Sequence, residues 1–248
     1  MGAGSLAGNI RLVLFDLGGT LMYQCGPWDE IYPHADQALW RSLHAAGVTL
    51  DPPDLYQDYP TFFALYYDKH RGDLNEPTSL RVLDDLLRAK GFQLTRQTLR
   101  QALRAMFGVT QVNWIPEADA LPALRALQQM DMRIGMISNA SDDDNTQALI
   151  DKGDFRPCLE HIVSSAAFGR RKPDPAIFRA ALLEFGIQPE QAVMVGDEYE
   201  ADIFGATSVG MKSIWITRRA REQAPGNATA VPDAVVSTLA EIPALLHS

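Results

Sequence analysis

The chain first declares itself through its apolar pattern. Ile10 to Phe15 (IRLVLF) is a compact apolar run closed by Asp16 and the Gly18-Gly19 pair, which predicts a buried parallel strand running into a tight loop. From about Trp28 to Phe107 the spacing changes. Leu80, Leu83 and Leu87 fall on one helical face and Leu99, Leu103 and Met106 on another, as side chains three and four residues apart do. This stretch predicts a helical insertion, interrupted at Gly47 before Asp51-Pro52-Pro53, at Gly72, and at Gly91 ahead of Thr95, a candidate helix N-cap.

After about Trp114 strands and helices alternate. Helices are expected around Ala123 to Gln129, after Ser141, at Pro175 to Phe185 and at Ala201 to Val209; strands are expected at Arg133 to Ile137, His161 to Val163, Ala192 to Val195 and Lys212 to Ile216. Such alternation argues for an α/β chain with a doubly wound, Rossmann-like parallel sheet, whose ligand crevice lies outside the carboxyl ends of the strands. Asp16, Ser138 and Asp197 then share one edge of the sheet.

Composition narrows the function classes. At 248 residues the chain exceeds a typical domain of about 100 to 200 residues, so a core with a modest second unit is expected. The formal charge of -9, with no dense Lys/Arg stripe, disfavours docking on nucleic acid or an anionic membrane. Cys25 and Cys158 have neither a CxxC nor a zinc spacing, so no disulfide framework is expected and a reducing cytoplasm is the natural compartment. The first nine residues lack the features of a signal peptide, and no apolar run approaches the roughly 20 residues of a membrane span. A soluble, cytoplasmic protein is expected.

Three strand ends deliver polar groups: Asp16, then Ser138-Asn139, then Gly196-Asp197 with Asp202 beyond. Lys172 lies in the loop RRKPDP. Carboxylates beside a cation and hydroxyl donors suit phosphoryl transfer. In FDLGGTL (Phe15 to Leu21), ISNAS (Ile137 to Ser141), RKPDP (Arg171 to Pro175) and VGDEYEADIFGA (Val195 to Ala206), taken in that order, the chain resembles the haloacid-dehalogenase superfamily. The resemblance covers roughly residues 10 to 22 and 116 to 218, and the helical insertion sits where that superfamily often carries a cap. It implies a core of residues 1–22 and 113–248 with a cap of residues 23–112.

Carried onto this chain, the resemblance implies Asp16 as a nucleophile that forms an aspartyl-phosphate. It implies Mg²⁺ held by Asp16, the Gly18 carbonyl and Asp197, with Asp202 completing the acidic cluster. Ser138, with backbone amides near Gly19 and Asn139, would hold phosphoryl oxygens, Lys172 would offset their charge, and Thr20 would brace the loop. The expected substrate is a small phosphorylated metabolite; the oligomeric state is not legible.

One departure matters. Phosphatases of this superfamily commonly place a second aspartate, the general acid and base, two residues after the nucleophile, and here that position is Gly18. A glycine keeps the backbone carbonyl but loses a contribution of ~10² to 10⁴-fold, so activity is expected to be weakened, served by a substitute acid, or biased toward good leaving groups. The same gap leaves open a metal-independent 2-haloacid dehalogenase, disfavoured by the pair Asp197 and Asp202, and a non-catalytic module that binds a phosphometabolite or a protein. A phosphomutase, which relies on the missing acid, is poorly supported.

Within the insertion, Trp28, Tyr32, Tyr66, Tyr67, Lys69, His70 and Arg71 are candidate substrate readers, although aromatics at such spacing more often pack a cap's own core. The run Asp142 to Asp144 reads as helix-start acids rather than catalytic ones. Cys25 reads as a bystander thiol, and His34, His44 and His161 carry no metal-ligand spacing.

Overall fold

The computed structural model of the chain describes residues 6, 9–70, 72–220 and 230–247, the side chains of Gln57 and Asp58 excepted. The central strand β1 (Leu12–Phe15) alternates its side chains: Leu12 and Leu14 enter one apolar layer with Phe178 and Phe185, while Val13 and Phe15 enter the other with Leu124 and Leu127. A strand covered on both faces has no polar side, which is why its sequence reads as a continuous apolar run.

Two short segments, β2 (Met22–Gln24) and β3 (Trp114–Pro116), pair antiparallel, with Gln24 opposite Trp114. They form a stem through which the chain leaves the core and returns. Between them lie four helices: α1 (Trp28–Ala45), α2 (Pro52–Lys69), α3 (Ser79–Ala89) and α4 (Arg96–Gln111). Leu83, Leu87, Leu99, Leu103 and Met106 are buried in a cluster of this helical unit's own. Thr95 caps α4 by accepting from the Thr98 amide at 3.2 Å.

The chain continues through α5 (Ala120–Gln129), β4 (Arg133–Ser138), α6 (Asp143–Lys152), β5 (His161–Ser164), α7 (Ser165–Phe168), α8 (Pro175–Phe185), β6 (Ala192–Gly196), α9 (Gly205–Ser208), β7 (Lys212–Ile216), β8 (Ala234–Val236) and α10 (Ile242–Leu246). The six-stranded parallel sheet has the order β5-β4-β1-β6-β7-β8. The chain builds outward from β1 to β4 and β5, then returns to β6 on the other side. The direction of winding reverses around β1, and the crevice at such a reversal is where α/β sheets bind ligands.

Two regions differ from the sequence expectation. The helix expected at Ala201 to Val209 begins as a wide π turn, Tyr199–Phe204, before tightening into α9. Asp202 in that turn accepts from the Glu198 amide at 3.0 Å, folding its side chain back toward the sheet edge. The stem pair and β8 are three residues long each, too short for any period to show.

Candidate active site

Asp16 follows β1 directly, its amide donating to the Val195 carbonyl at 2.9 Å, so sheet pairing fixes its backbone. The loop then turns through Gly19, at φ +81°; a Cβ there would stand 2.2 Å from Asp197 Oδ2, so only glycine fits. Thr20 is fully buried and its hydroxyl donates to Asp197 Oδ1 at 3.4 Å. The loop of the first strand is thereby tied to the residue that ends the sixth.

Lys172 is held from both directions. Its amide donates to Asn139 Oδ1 at 2.8 Å and its carbonyl accepts from Asn139 Nδ2 at 3.0 Å. Its ammonium donates to Asp16 Oδ1 at 2.7 Å, Asp202 Oδ1 at 2.6 Å and the Ile137 carbonyl at 2.9 Å. Burial alone would lower the Lys172 pKa, but Asp16 and Asp202 outweigh it and hold the ammonium above its ordinary value.

Asp16, Asp197 and Asp202 are all buried, and each offers an oxygen within 4.8 Å of the others. Burial, then the charges of Asp16 and Asp202, pushes the Asp197 carboxyl far up, to about 8. Three carboxylates against one ammonium leave a buried excess of negative charge, and an all-oxygen donor set suits a hard divalent cation. The residues present therefore fit such an ion. The Ser138 hydroxyl, at the end of β4, makes no hydrogen bond to a described residue.

Gly18 does not adopt a positive φ. What constrains it is Trp114 of the stem, whose Cη2 would lie 3.2 Å from a Cβ at residue 18. The indole stands where a side chain at that position would project.

A cavity of about 850 Å³ lies between the helical unit and this corner, reaching Gly18, Ser138 and Asn139. Helix α1 lines it with Trp28, Tyr32 and Asp36, and α2 with Tyr59, Phe63 and Tyr67. Each set has the spacing i, i+4, i+8, one face of a helix. Of the candidate substrate readers, Trp28, Tyr32 and Tyr67 thus face the cavity rather than a core. Tyr66 instead donates to Asp85 Oδ2 at 2.8 Å and accepts from Arg81, Lys69 lies over the Tyr66 ring, and His70 pairs with Asp73. Arg71 lies outside the described residues.

Asp36, Tyr59, Phe63 and Trp114 escaped the sequence reading. The two stripes carry a detectable signal, but the same spacing serves a core equally well. The acids of Asp142 to Asp144 do structural work: Asp142 caps α6 by accepting from the Asn145 amide at 2.8 Å, Asp143 accepts from Ser164 and Asp144 pairs with Arg104. Asp142 also borders the cavity. Cys25 and Cys158 are both free thiols. Among the described residues no helix is long and apolar enough to cross a membrane.

Known proteins place this arrangement. Over 227 residues, 90% of this chain and 91% of the relative, it is 29% identical to a glyceraldehyde 3-phosphate phosphatase of Methanopyrus kandleri. Over 131 residues, 51% of this chain and 49% of the relative, it is 34% identical to a phosphoserine phosphatase of Thermus thermophilus. The crystal structure of a 2-haloacid dehalogenase from Pseudomonas syringae superposes with a TM-score of 0.69 at 23% identity, covering 95% of this chain and 97% of that one, a likeness of fold. The haloacid dehalogenase-like hydrolase family model matches residues 10–210, and with that match, the sheet and its ordered strand-end residues, the chain belongs to the haloacid dehalogenase-like hydrolases.

Proposed function

We propose that the protein hydrolyses small phosphate monoesters in two steps through an aspartyl-phosphate on Asp16. The observation that carries the reading is the buried corner in which Lys172 Nζ stands 2.7 Å from Asp16 and 2.6 Å from Asp202, with Asp197 completing a three-carboxylate cluster. The phosphatase names of the relatives from Methanopyrus kandleri and Thermus thermophilus point the same way.

In the first step a free oxygen of Asp16 attacks phosphorus. The new Asp16 O–P bond forms as the bond from phosphorus to the leaving alcohol oxygen breaks, and that oxygen keeps the electron pair. Lys172 holds the other Asp16 oxygen in place and offsets charge on the phosphoryl oxygens; the Ser138 hydroxyl and the Asn139 amide would donate to them, whereas the Gly19 amide, expected to do the same, is taken by the Met22 carbonyl at 2.7 Å. In the second step water attacks the phosphorus of the acyl-phosphate, releasing inorganic phosphate and restoring the Asp16 carboxylate. Mg²⁺, held by Asp16, Asp197, the Gly18 carbonyl and the Asp202 side of the cluster, would supply the positive charge that lets an anionic ester approach these carboxylates. Asn139 acts twice in this reading, its side chain fixing the Lys172 backbone and its amide facing the phosphate.

Position 18 offers no proton to the leaving oxygen, so the reading favours esters of acidic alcohols. A 2-haloacid substrate fits less well: its carboxylate would enter a cavity whose described lining has no Lys, Arg or His.

The test is phosphate release from a panel of phosphate monoesters with Mg²⁺ and with EDTA. Hydrolysis that vanishes in EDTA supports the reading; undiminished turnover without metal would sink it. Formation of a stable Asp16 complex with BeF₃⁻ separates an enzyme from a binding module.

A further inference from the structure

Cations stand beside the carboxylates at the phosphate end of the site. Around the nucleophile stand Lys172 and, bordering the adjoining pocket, Arg219, which stacks at 3.8 Å on Tyr23 and pairs with Glu117 at 2.8 Å. The cavity beyond has no cationic residue in its described lining, yet it holds Asp36 and Asp142. Asp142 spends one oxygen on its helix cap. No described residue engages the Asp36 carboxylate in a hydrogen bond or ion pair, and burial pushes its pKa up. Arg171 lies across the Tyr67 ring at 4.1 Å and lines a separate pocket, and Arg100 acts on Asp142 from outside the described lining.

The groups around Asp36 are aromatic. Trp28 and Tyr32 pack with their ring centres 5.2 Å apart, one turn before Asp36 on the same face of α1. Across the cavity stand Phe63, Trp114 and Tyr59. The Tyr59 side chain is 7% exposed and its hydroxyl has no hydrogen-bond partner among the described residues. Ser79, beside it, donates to Ser141 at 3.0 Å. Aromatic side chains with an unpaired, half-buried carboxylate, lining one cavity, form a site for an organic cation.

We infer that the alcohol part of the substrate carries an ammonium group, seated against Asp36 between the Trp28, Tyr32 and Tyr59 rings while the phosphate sits at Asp16. This deepens the phosphatase reading and rests on it for the phosphate end. The absence of an acid at Gly18 agrees independently. An ammonium group close to the ester oxygen withdraws electrons and lowers the pKa of the departing alcohol, so such an ester needs less help from a proton donor. The cavity, at about 850 Å³, has room for a larger amine than choline.

The pair of probes that isolates charge is phosphocholine and 3,3-dimethylbutyl phosphate, which have the same shape with nitrogen replaced by carbon. Calorimetric titration of the Asp16→Asn protein in Mg²⁺ reads binding without turnover. Phosphocholine should bind on the order of 10-fold tighter, and in Asp16→Asn/Asp36→Asn the ratio should fall to about one. Equal binding, tighter binding of the neutral ester, or no binding of either would overturn the inference. In parallel, wild-type turnover of p-nitrophenyl phosphate judges the phosphatase reading separately. If that ester is hydrolysed and the binding ratio is one, the charge inference fails alone. If no ester is hydrolysed, the phosphatase reading fails, and the ratio still decides whether the cavity selects a cation.

Discussion

The nucleophile corner and the cap cavity are neighbours built on opposite terms. In the corner the cation and its support are committed: the three protons of the Lys172 ammonium go to Asp16, Asp202 and the Ile137 carbonyl, and both ends of the Asn139 amide go to the Lys172 backbone. In the cavity, Asp36 and the Tyr59 hydroxyl have no described partner. Groups that perform chemistry are useful when they are fixed before the substrate arrives. Groups that select a ligand are useful when the ligand is what satisfies them, because a buried polar atom left unpaired penalises the wrong occupant.

The sharpest way to break that contrast is to disturb the corner. Asp16→Asn keeps the shape and removes the nucleophile, so turnover of every phosphate ester should vanish while circular dichroism stays unchanged. Retention of more than a few per cent of activity would mean another nucleophile. Lys172→Met comes next. It fills the same space without charge, so activity should drop on the order of 10² to 10³-fold, equally for all substrates. Thermal or urea unfolding should also show a loss of about 3–5 kcal/mol, since the variant strands buried carboxylates without their cation. A loss confined to one substrate would place Lys172 in selection rather than chemistry.

The same contrast explains what the sequence made legible. The corner is assembled from residues that end strands, and a strand end is visible as an apolar run followed by a polar residue and glycines. Asp16, Ser138 and Asp197 therefore fall on one edge from the sequence alone. The cap resisted because a helix stripe such as Tyr59, Phe63 and Tyr67 is written identically whether it faces leucines or a cavity, and here Tyr59 and Phe63 touch both, packing on the helical core and bordering the cavity. Trp114 was illegible for a different reason. Its importance lies in standing over Gly18, a contact across 96 positions of sequence created by a stem of three paired residues.

That contact makes Gly18 a place where the two regions meet. Because Gly18 lacks a positive φ, an aspartate there meets no backbone strain of the left-handed kind. The obstacle is the Trp114 ring at 3.2 Å, which must give by a few tenths of an ångström. Gly18→Asp combined with Trp114→Phe should therefore fold, and should raise kcat on alkyl phosphates about 10-fold more than on aryl ones. That is short of the ~10² to 10⁴-fold of an acid evolved in place. Thermal melting shows whether the loop accepted the change. A well-folded double variant with unaltered leaving-group sensitivity would indicate that the proton already reaches the leaving oxygen from elsewhere.

The smallest expected effect lies on the seam between the two regions. Glu76, in the loop before α3, accepts from the Ser165 hydroxyl of the core at 2.7 Å, and its own amide donates to the Gly169 carbonyl at 3.0 Å. Burial pushes its carboxyl up from 4.5 to about 7, against the lowering effects of Ser165 and Arg171. Between those two values the folded protein holds a proton that the unfolded chain has released. Stability linked to Glu76 is therefore complete at acid pH and declines as pH rises from about 4.5 through about 7, then levels off. Glu76→Gln keeps an oxygen for Ser165 but cannot ionise. Its melting temperature should match wild type near pH 5 and exceed it near pH 8 by an amount on the order of 2–4 °C, solvent at the half-buried seam reducing the full linkage. The other carboxyls pushed up by burial, Asp36 and Asp142 among them, are shared by both proteins and cancel in the difference. Parallel melting curves across that range would show that Glu76 is ionised in the folded protein throughout. The seam would then be held by its other bonds, among them Ser79 to Ser141, Gln111 to Asn145 and the Arg171 guanidinium to the Asn75 and His70 carbonyls.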